Sequence, residues 1–252
     1  MQIRPGIELG NLTDTGCQRE RNEDYYCYAE PDDDRDFQRK GRLAVVADGM
    51  GGHEGGQIAS GIAVDTVRDT YLSHPSDDPM EALRSAFQQA HAAILDYSRA
   101  HPELHGMGTT CTAAVIRDSR LFYGHVGDSR LYLIRGFSIS QLTEDHSRVG
   151  QMVRDGMITA EEAAVHPERN VLTAALGMDS ELPLNFPDAP IALEPNDMVL
   201  ICTDGLHGLV SNEELLGVAA GTPPREACQE LIRIAKDRGG FDNITVQILR
   251  VL

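Results

Sequence analysis

GRLAVVADGMGG, residues 41–52, decides how the rest of the chain reads. Leu43 to Ala47 is a short apolar run with β-branched valines, bounded by glycine, which predicts a buried strand. The strand runs into Asp48, followed by Gly49, Met50, Gly51 and Gly52. A carboxylate at the end of a buried strand is costly unless something cationic sits against it. The glycines permit a tight turn and a close approach of backbone to a ligand. Together these features suggest an oxygen-rich cation site, with Asp48 and a backbone carbonyl as ligands. The plainer reading is a strand-to-turn junction in which Asp48 bonds its own turn.

The composition around this stretch narrows the choice. The chain has 252 residues, 41% hydrophobic and 24% charged, and no linker rich in Pro, Gly or Ser, so one domain over 1–252 is expected. The formal charge of −17 argues against nucleic acid and anionic membrane as partners, because both demand a basic face. No apolar run approaches the ~20 residues of a membrane span, and MQIRPGIELG lacks the apolar core of a secretory signal. The five cysteines are scattered, with no CxxC pair, which argues against disulfides and zinc and places the chain in a reducing cytoplasm.

In chain order, residues 7–12 and 25–28 are expected strands. The loop between them carries Arg19, Arg21, Glu23 and Asp24, either as surface ion pairs or as an anion-binding arginine beside a metal-binding carboxylate. PDDDRDFQRK, 31–40, reads as a solvated turn. Residues 57–71 and 80–100 have the apolar spacing of amphipathic helices, with His74, His91 and His101 exposed or capping. Residues 109–116, 121–126 and 130–134 read as a meander of antiparallel strands. Residues 142–180 alternate short helical pieces with glycines and are expected to form a mobile flap, about 145–180. A buried strand at 198–203 then runs into Asp204-Gly205. Helices follow at 211–220, with Ser211 and Glu214 as a capping box, and at 225–237; the last strand spans 244–251.

Asp48, Asp128 and Asp204 follow apolar strands at glycines, and Asp242 precedes one. If those strands are neighbours, the carboxylates converge and raise one another's pKa values. Divalent cations resolve the repulsion, and an all-oxygen donor set selects Mg2+, Mn2+ or Ca2+ over zinc. Two such ions close together activate a water and clamp a phosphoryl group for in-line attack. An arginine, Arg19 or Arg21, is the natural partner of a phosphate dianion.

The segments RERNED (19–24), VVADGMGG (45–52), GTTCTAAVI (108–116), GHVGDSRLYLIR (124–135), LTEDHS (142–147), CTDGL (202–206) and FDNITV (241–246) together resemble the metal-dependent protein phosphatases, the PPM or type 2C family, in their compact bacterial form. The motifs fall in the family's order over nearly the whole chain. The resemblance implies an α+β fold, a four-layer αββα sandwich with central antiparallel sheets flanked by helices. It implies a phosphoserine/phosphothreonine hydrolase with core Mn2+ or Mg2+ ions and a third, weaker one. On this resemblance Asp48 bridges the core metals, the Gly49 carbonyl binds one, and Asp204 and Asp242 complete the other. Asp24, or its neighbour Glu23, reaches the metals directly or through water, Asp128 joins Asp204 at the third, and Asn243 orients Asp242. Arg19, rather than Arg21, matches the phosphate-binding arginine by its spacing to Asp24, and the flap is implied to influence substrate choice. Many eukaryotic members have a histidine directly after the first Asp-Gly; Met50 stands there, with His53 nearby, so the proton donor to the leaving alkoxide is open. The implied partners are a bacterial Ser/Thr kinase and its substrates, met by a monomer.

Other readings compete. Cys111 and Arg117 have the C-x5-R spacing of a cysteine phosphatase, but the residues between are strand-like and contain no glycine. A non-catalytic phosphoprotein-binding module on the same fold is a second reading. A phosphorylated anti-sigma-factor antagonist is an alternative substrate within the resemblance.

Overall fold

A computed structural model describes residues 3–51, 54–178 and 182–252. The chain begins with strands β1 (Ile7–Asp14) and β2 (Asp24–Ala29), helix α1 (Asp34–Lys40) and strand β3 (Arg42–Met50). Long helices α2 (Gly55–Ser73) and α3 (Pro79–Ala100) follow. Then come β4 (Gly108–Thr109), β5 (Cys111–Arg117), β6 (Arg120–Val126), β7 (Arg130–Arg135) and β8 (Ser138–Gln141). Short helices α4 (Arg148–Arg154) and α5 (Ala160–Ala164) precede β9 (Ile191–Ala192) and β10 (Met198–Cys202). The chain closes through α6 (Asp204–His207), α7 (Asn212–Gly221), α8 (Pro224–Asp237) and β11 (Ile244–Val251).

The strands form two antiparallel sheets, ordered β1-β11-β10-β7-β8 and β2-β3-β5-β6-β9, with β4 extending the second from β3. Strand β3 shows why the opening stretch is apolar at every position rather than every other one. Leu43, Val45 and Ala47 pack under α2 and α3, while Ala44 and Val46 point into the space between the sheets. A strand buried on both faces loses the period-two alternation of a half-exposed one. The second sheet is built likewise: Leu200 and Ile248 face α7 and α8, and Val199, Ile201 and Leu249 face the inter-sheet layer. The result is the expected αββα order of layers, an α+β fold.

Two expectations fail for identifiable reasons. Residues 31–40 are not a solvated turn, because 34–40 form α1. Asp33 caps it by accepting from the Arg35 and Asp36 amides at 2.9 and 3.1 Å. Its aromatic residue, Phe37, is covered by the Arg4 and Arg42 guanidinium groups, 4.7 and 4.8 Å from the ring centre. The apolar face is therefore supplied by arginine stems rather than by an apolar stripe. The meander is also incomplete. β5 and β6 pair, but at Gly127-Asp128-Ser129 the chain leaves one sheet and β7 joins the other, beside β10. Gly127 has φ +108°, and a Cβ there would lie 2.5 Å from Thr110 side-chain carbons, so the crossing needs glycine.

Elsewhere the expected elements stand. Ser211 and Glu214 form the capping box of α7, and His74 and His101 are the C-caps of α2 and α3. His91 accepts a hydrogen bond from the Gly177 amide at 3.1 Å. Among the described residues no helix is long and apolar enough to cross a membrane.

Candidate metal and phosphate site

The aspartates meet at one end of the sandwich. Asp24 and Asp48 are cross-strand partners in the β2–β3 register. Asp204 opens α6 immediately after β10, Asp242 lies just before β11, and Asp128 sits in the crossing turn. Asp48 is held by its backbone: its amide donates to Thr110 Oγ1 at 2.9 Å, and its carbonyl accepts from Thr109 Oγ1 at 2.8 Å. Thr110 Oγ1 also lies 2.7 Å from Ser129 Oγ, which ties the Asp48 turn to the Asp128 turn. Gly49 is required by packing, since a Cβ there would come within 2.0 Å of the Gly56 carbonyl oxygen and 2.7 Å of the Glu23 carbonyl oxygen.

The buried carboxylates carry the electrostatic cost expected of such a cluster. Burial pushes Asp24 up to about 7, against the pull of hydrogen bonds from Thr245 and Thr203. Burial, then the charges of Asp24, Asp204, Asp128 and Asp242, raise Asp48 well above the usual carboxylate range. Asp128 is raised by burial and by Asp204, and Asp204 by burial and by Asp242. Arg19 Nη2 donates to Asp242 Oδ2 at 2.7 Å. It is the one cation hydrogen-bonded to any of these five carboxylates among the described residues.

Two oxygens test the fit of a cation. Asp24 Oδ2 accepts from Thr203 at 3.0 Å and Thr245 at 2.7 Å, but Asp24 Oδ1 is buried without a partner, and so is Asp204 Oδ1. A buried carboxylate oxygen with no donor is a costly state, and a hard divalent cation is the partner these all-oxygen donors suit. The residues therefore fit such ions. As the side chains stand, no group of three or more His, Cys, Asp or Glu among the described residues already forms a closed metal-binding set.

The remaining expected residues take distinct places. Glu23 is partly buried; burial raises its carboxyl while Arg19 pulls it down, and the carboxylate lies against Gly56 at the start of α2. Asn243 donates its amide to Asp242 Oδ1 at 2.8 Å. Its side chain also accepts from the Glu23 amide at 2.8 Å and donates to the Thr15 and Arg21 carbonyls at 3.0 and 2.9 Å, pinning the arginine loop against β11. Arg21 turns away to Glu54, at 2.6 Å. Met50 packs on Gly108, and His53 lies outside the described residues. Cys111 is fully buried in β5 with its thiol pushed up by burial, and the Arg117 guanidinium donates to the Arg39 carbonyl at 2.8 Å, so the C-x5-R spacing builds no anion loop.

Several supporting residues were not singled out from the sequence. Thr203 and Thr245 hold Asp24, and their signal was the polar residue each places beside a carboxylate motif. His207 Nε2 lies 3.0 Å from the Asp128 carbonyl, with burial pushing the imidazole down to about 3, so the neutral ring braces that turn. Arg130 grips Asp145 through Nε and Nη2, at 3.0 and 2.7 Å, beneath the same turn. Two clefts flank the cluster. One, about 760 Å³, is lined by Arg19, Glu23, Tyr97, His101 and Asn243. The other, about 580 Å³, runs from Asp128, Asp204 and Asp242 to α4 and α5.

Fold and site define a phosphoester hydrolase scaffold, and comparison with known proteins agrees. The protein phosphatase 2C family model matches residues 29–240. The protein phosphatase PhpP of Streptococcus pneumoniae is 36% identical over 250 residues, covering 96% of this chain and 97% of that protein. The serine/threonine phosphatase of S. agalactiae superposes with a TM-score of 0.88 at 31% identity, covering 98% of this chain and 100% of that one. The catalytic domain of the serine/threonine protein phosphatase PstP, in complex with 2 manganese ions, gives a TM-score of 0.83 at 32% identity, covering 98% and 99%. The chain belongs to the protein phosphatase 2C, or PPM, family. Within it, the chain falls with the bacterial stand-alone members and is a protein-serine/threonine phosphatase.

Proposed function

We propose that the carboxylate cluster is the reaction centre and holds two divalent cations, Mn2+ or Mg2+, with a third bound more weakly. Asp48, the Gly49 carbonyl, Asp204 and Asp242 would hold the core ions, with Asp24 through its free Oδ1, and Asp128 with Asp204 would hold the third. The observation that carries this reading is the pair of buried, unpartnered oxygens on Asp24 and Asp204 within a cluster of repelling carboxylates. The manganese complex of PstP supports it from outside. When bound, such ions supply an acidified water and positive charge for the phosphoryl oxygens.

The chain's own residues do the rest. Arg19 is half exposed and paired with Asp242, and this pairing raises its pKa, so it stays charged while exchanging one anion for another. It would take the phosphoryl oxygens of the substrate, and Asp242, released from it, would hold a cation. Thr203 and Thr245 keep Asp24 from rotating, and Asn243 keeps the arginine loop in reach. Cys111 is fully buried in the core under α2 and α3, closed to a substrate, and we infer a single displacement by water without a phosphoryl-enzyme. The substrates are phosphoserine and phosphothreonine proteins produced by a bacterial Ser/Thr kinase.

The test is phosphate release from phosphothreonine and phosphotyrosine peptides, with Mn2+ and with EDTA. Metal-dependent release favouring phosphothreonine is expected; release that survives EDTA would overturn the reading. His53→Ala is expected to retain at least about a tenth of wild-type turnover of a small aryl phosphate, since one general acid contributes up to roughly 10²–10⁴-fold when it is essential. A hundredfold loss, on the order of an essential proton donor, would instead make His53 that donor.

A further inference from the structure

The cleft beside α4 and α5 has a wall that the reaction does not explain. Its floor is Asp128, Asp204 and Asp242, with the unpartnered Asp204 Oδ1 among them. Its sides carry Val149 and Val153 from α4, Ala160 and Ala163 from α5, and Leu209 and Phe241 from the body of the protein, with Arg154 and Arg169 among them. Phe241 directly precedes the Asp242 ligand candidate, yet its ring is 54% exposed. It lies over Gly239, where a Cβ would come within 2.5 Å of the ring.

The two short helices are built to hold that wall open. Ser147 caps α4 by accepting from the Gly150 amide at 3.1 Å. Thr159 and Glu162 close a full capping box on α5, at 3.2 and 2.8 Å. Helix α5 buries none of its residues, so local capping rather than a core keeps it folded. Around it Met157 and Val165 are also largely exposed. Apolar surface of this extent left facing a polar reaction centre marks a place for a ligand's apolar part.

We propose that this cleft is a subsite for an apolar side chain adjacent in sequence to the phosphorylated serine or threonine, with Phe241 and Val153 as its opposing walls. The proposal rests on reading the carboxylate cluster as the place of hydrolysis. A phosphoryl group at Arg19 and Asp204 leaves the neighbouring residue of an extended peptide about 3.4 Å further along the chain. On the Asp128–Asp242 side the surface it meets includes Phe241 and Val153. A leucine or methionine there would bury its side chain against Phe241 and Val153, whereas a serine offers little apolar surface to remove from water.

The experiment compares kcat/KM for phosphothreonine peptides that differ at the residue just before or just after the phosphothreonine, as Leu, Ser or Asp. The affinity of the matching non-hydrolysable phosphonate peptides is measured alongside. Leu is expected to be favoured over Ser by about tenfold at one flank or both, in kcat/KM and in affinity. That ratio should fall to within about twofold in Phe241→Ser and, as a second variant on the opposite wall, in Val153→Ser. Ratios within twofold in the wild type, or a tenfold ratio untouched by both variants, overturn the subsite. Wild-type turnover of a small aryl phosphate with Mn2+ and with EDTA reports on the reaction centre itself, so failure there is distinguishable from loss of peptide preference.

Discussion

Asp204→Asn is expected to lower metal-dependent phosphothreonine turnover by at least about a hundredfold, because even residues that only support metal ligands cost roughly 10–100-fold when changed. Asp204 is nearly isosteric with Asn, sits at the first position of α6, and leaves one buried oxygen without a partner. The substitution removes a charge that burial and Asp242 already disfavour. The metal-free protein should therefore melt no lower than wild type and, if anything, higher. What should shrink is the rise in melting temperature on adding Mn2+, since a ligand stabilises only the state that binds it. Turnover and the Mn2+-induced shift are measured on the same preparations. Turnover within tenfold of wild type, with an undiminished shift, would remove Asp204 from the metal site.

Arg130→Met should be the most damaging single change outside the carboxylate cluster, lowering stability by about 3 kcal/mol at neutral pH. Arg130 meets Asp145 with a two-point grip and reaches the Tyr132 hydroxyl at 3.3 Å. Burial pushes the Asp145 carboxyl up, but the charge and hydrogen bonds of Arg130 outweigh it and hold the group below its ordinary range. A carboxylate depressed in the folded state contributes stability that is complete above its unfolded pKa of about 4 and is lost as pH falls through the folded value. The gap between wild type and Arg130→Met should accordingly be full at pH 7 and narrow below about pH 4. Adding Asp145→Leu should recover most of the loss, because the single variant's defect is an unpaired buried carboxylate. Urea titrations at both pH values check this; a single variant within about 1 kcal/mol of wild type would mean the pair is solvated.

The elements legible in the sequence are those whose burial writes a local pattern. β3 and β10 are apolar at successive positions because both faces are covered, and α2 and α3 carry an apolar stripe because one face is. Helix α1 was illegible for the converse reason, since its apolar cover comes from Arg4 and Arg42, distant in sequence or outside the helix. The Gly127-Asp128-Ser129 turn looks like any hairpin turn, and nothing local says that β7 will pair with β10, some 60 residues on. The same limit applies to the site. Asp48 and Asp204 announce themselves as Asp-Gly after apolar runs, whereas Asp24 gains its meaning from a register that sets it opposite Asp48. The supporting bonds from Thr203, Thr245 and His207 depend on long-range packing, and a polar residue beside a carboxylate motif does not say which carboxylate it will hold.

The crossing at Gly127 also bears on how the protein comes to be active at all. Asp24 and Asp48 ride on one sheet, Asp204 and Asp242 flank strands of the other, and Asp128 lies on the thread between them. On the proposed metal site, neither half of the sandwich owns a complete donor set. A chain with only one sheet assembled carries a pair of repelling carboxylates, poorly matched to any cation, and Arg19 lacks Asn243 to position its loop. On that proposal, competence for hydrolysis requires both sheets to be docked. On the same reading a chain with one sheet undocked is silent rather than indiscriminate.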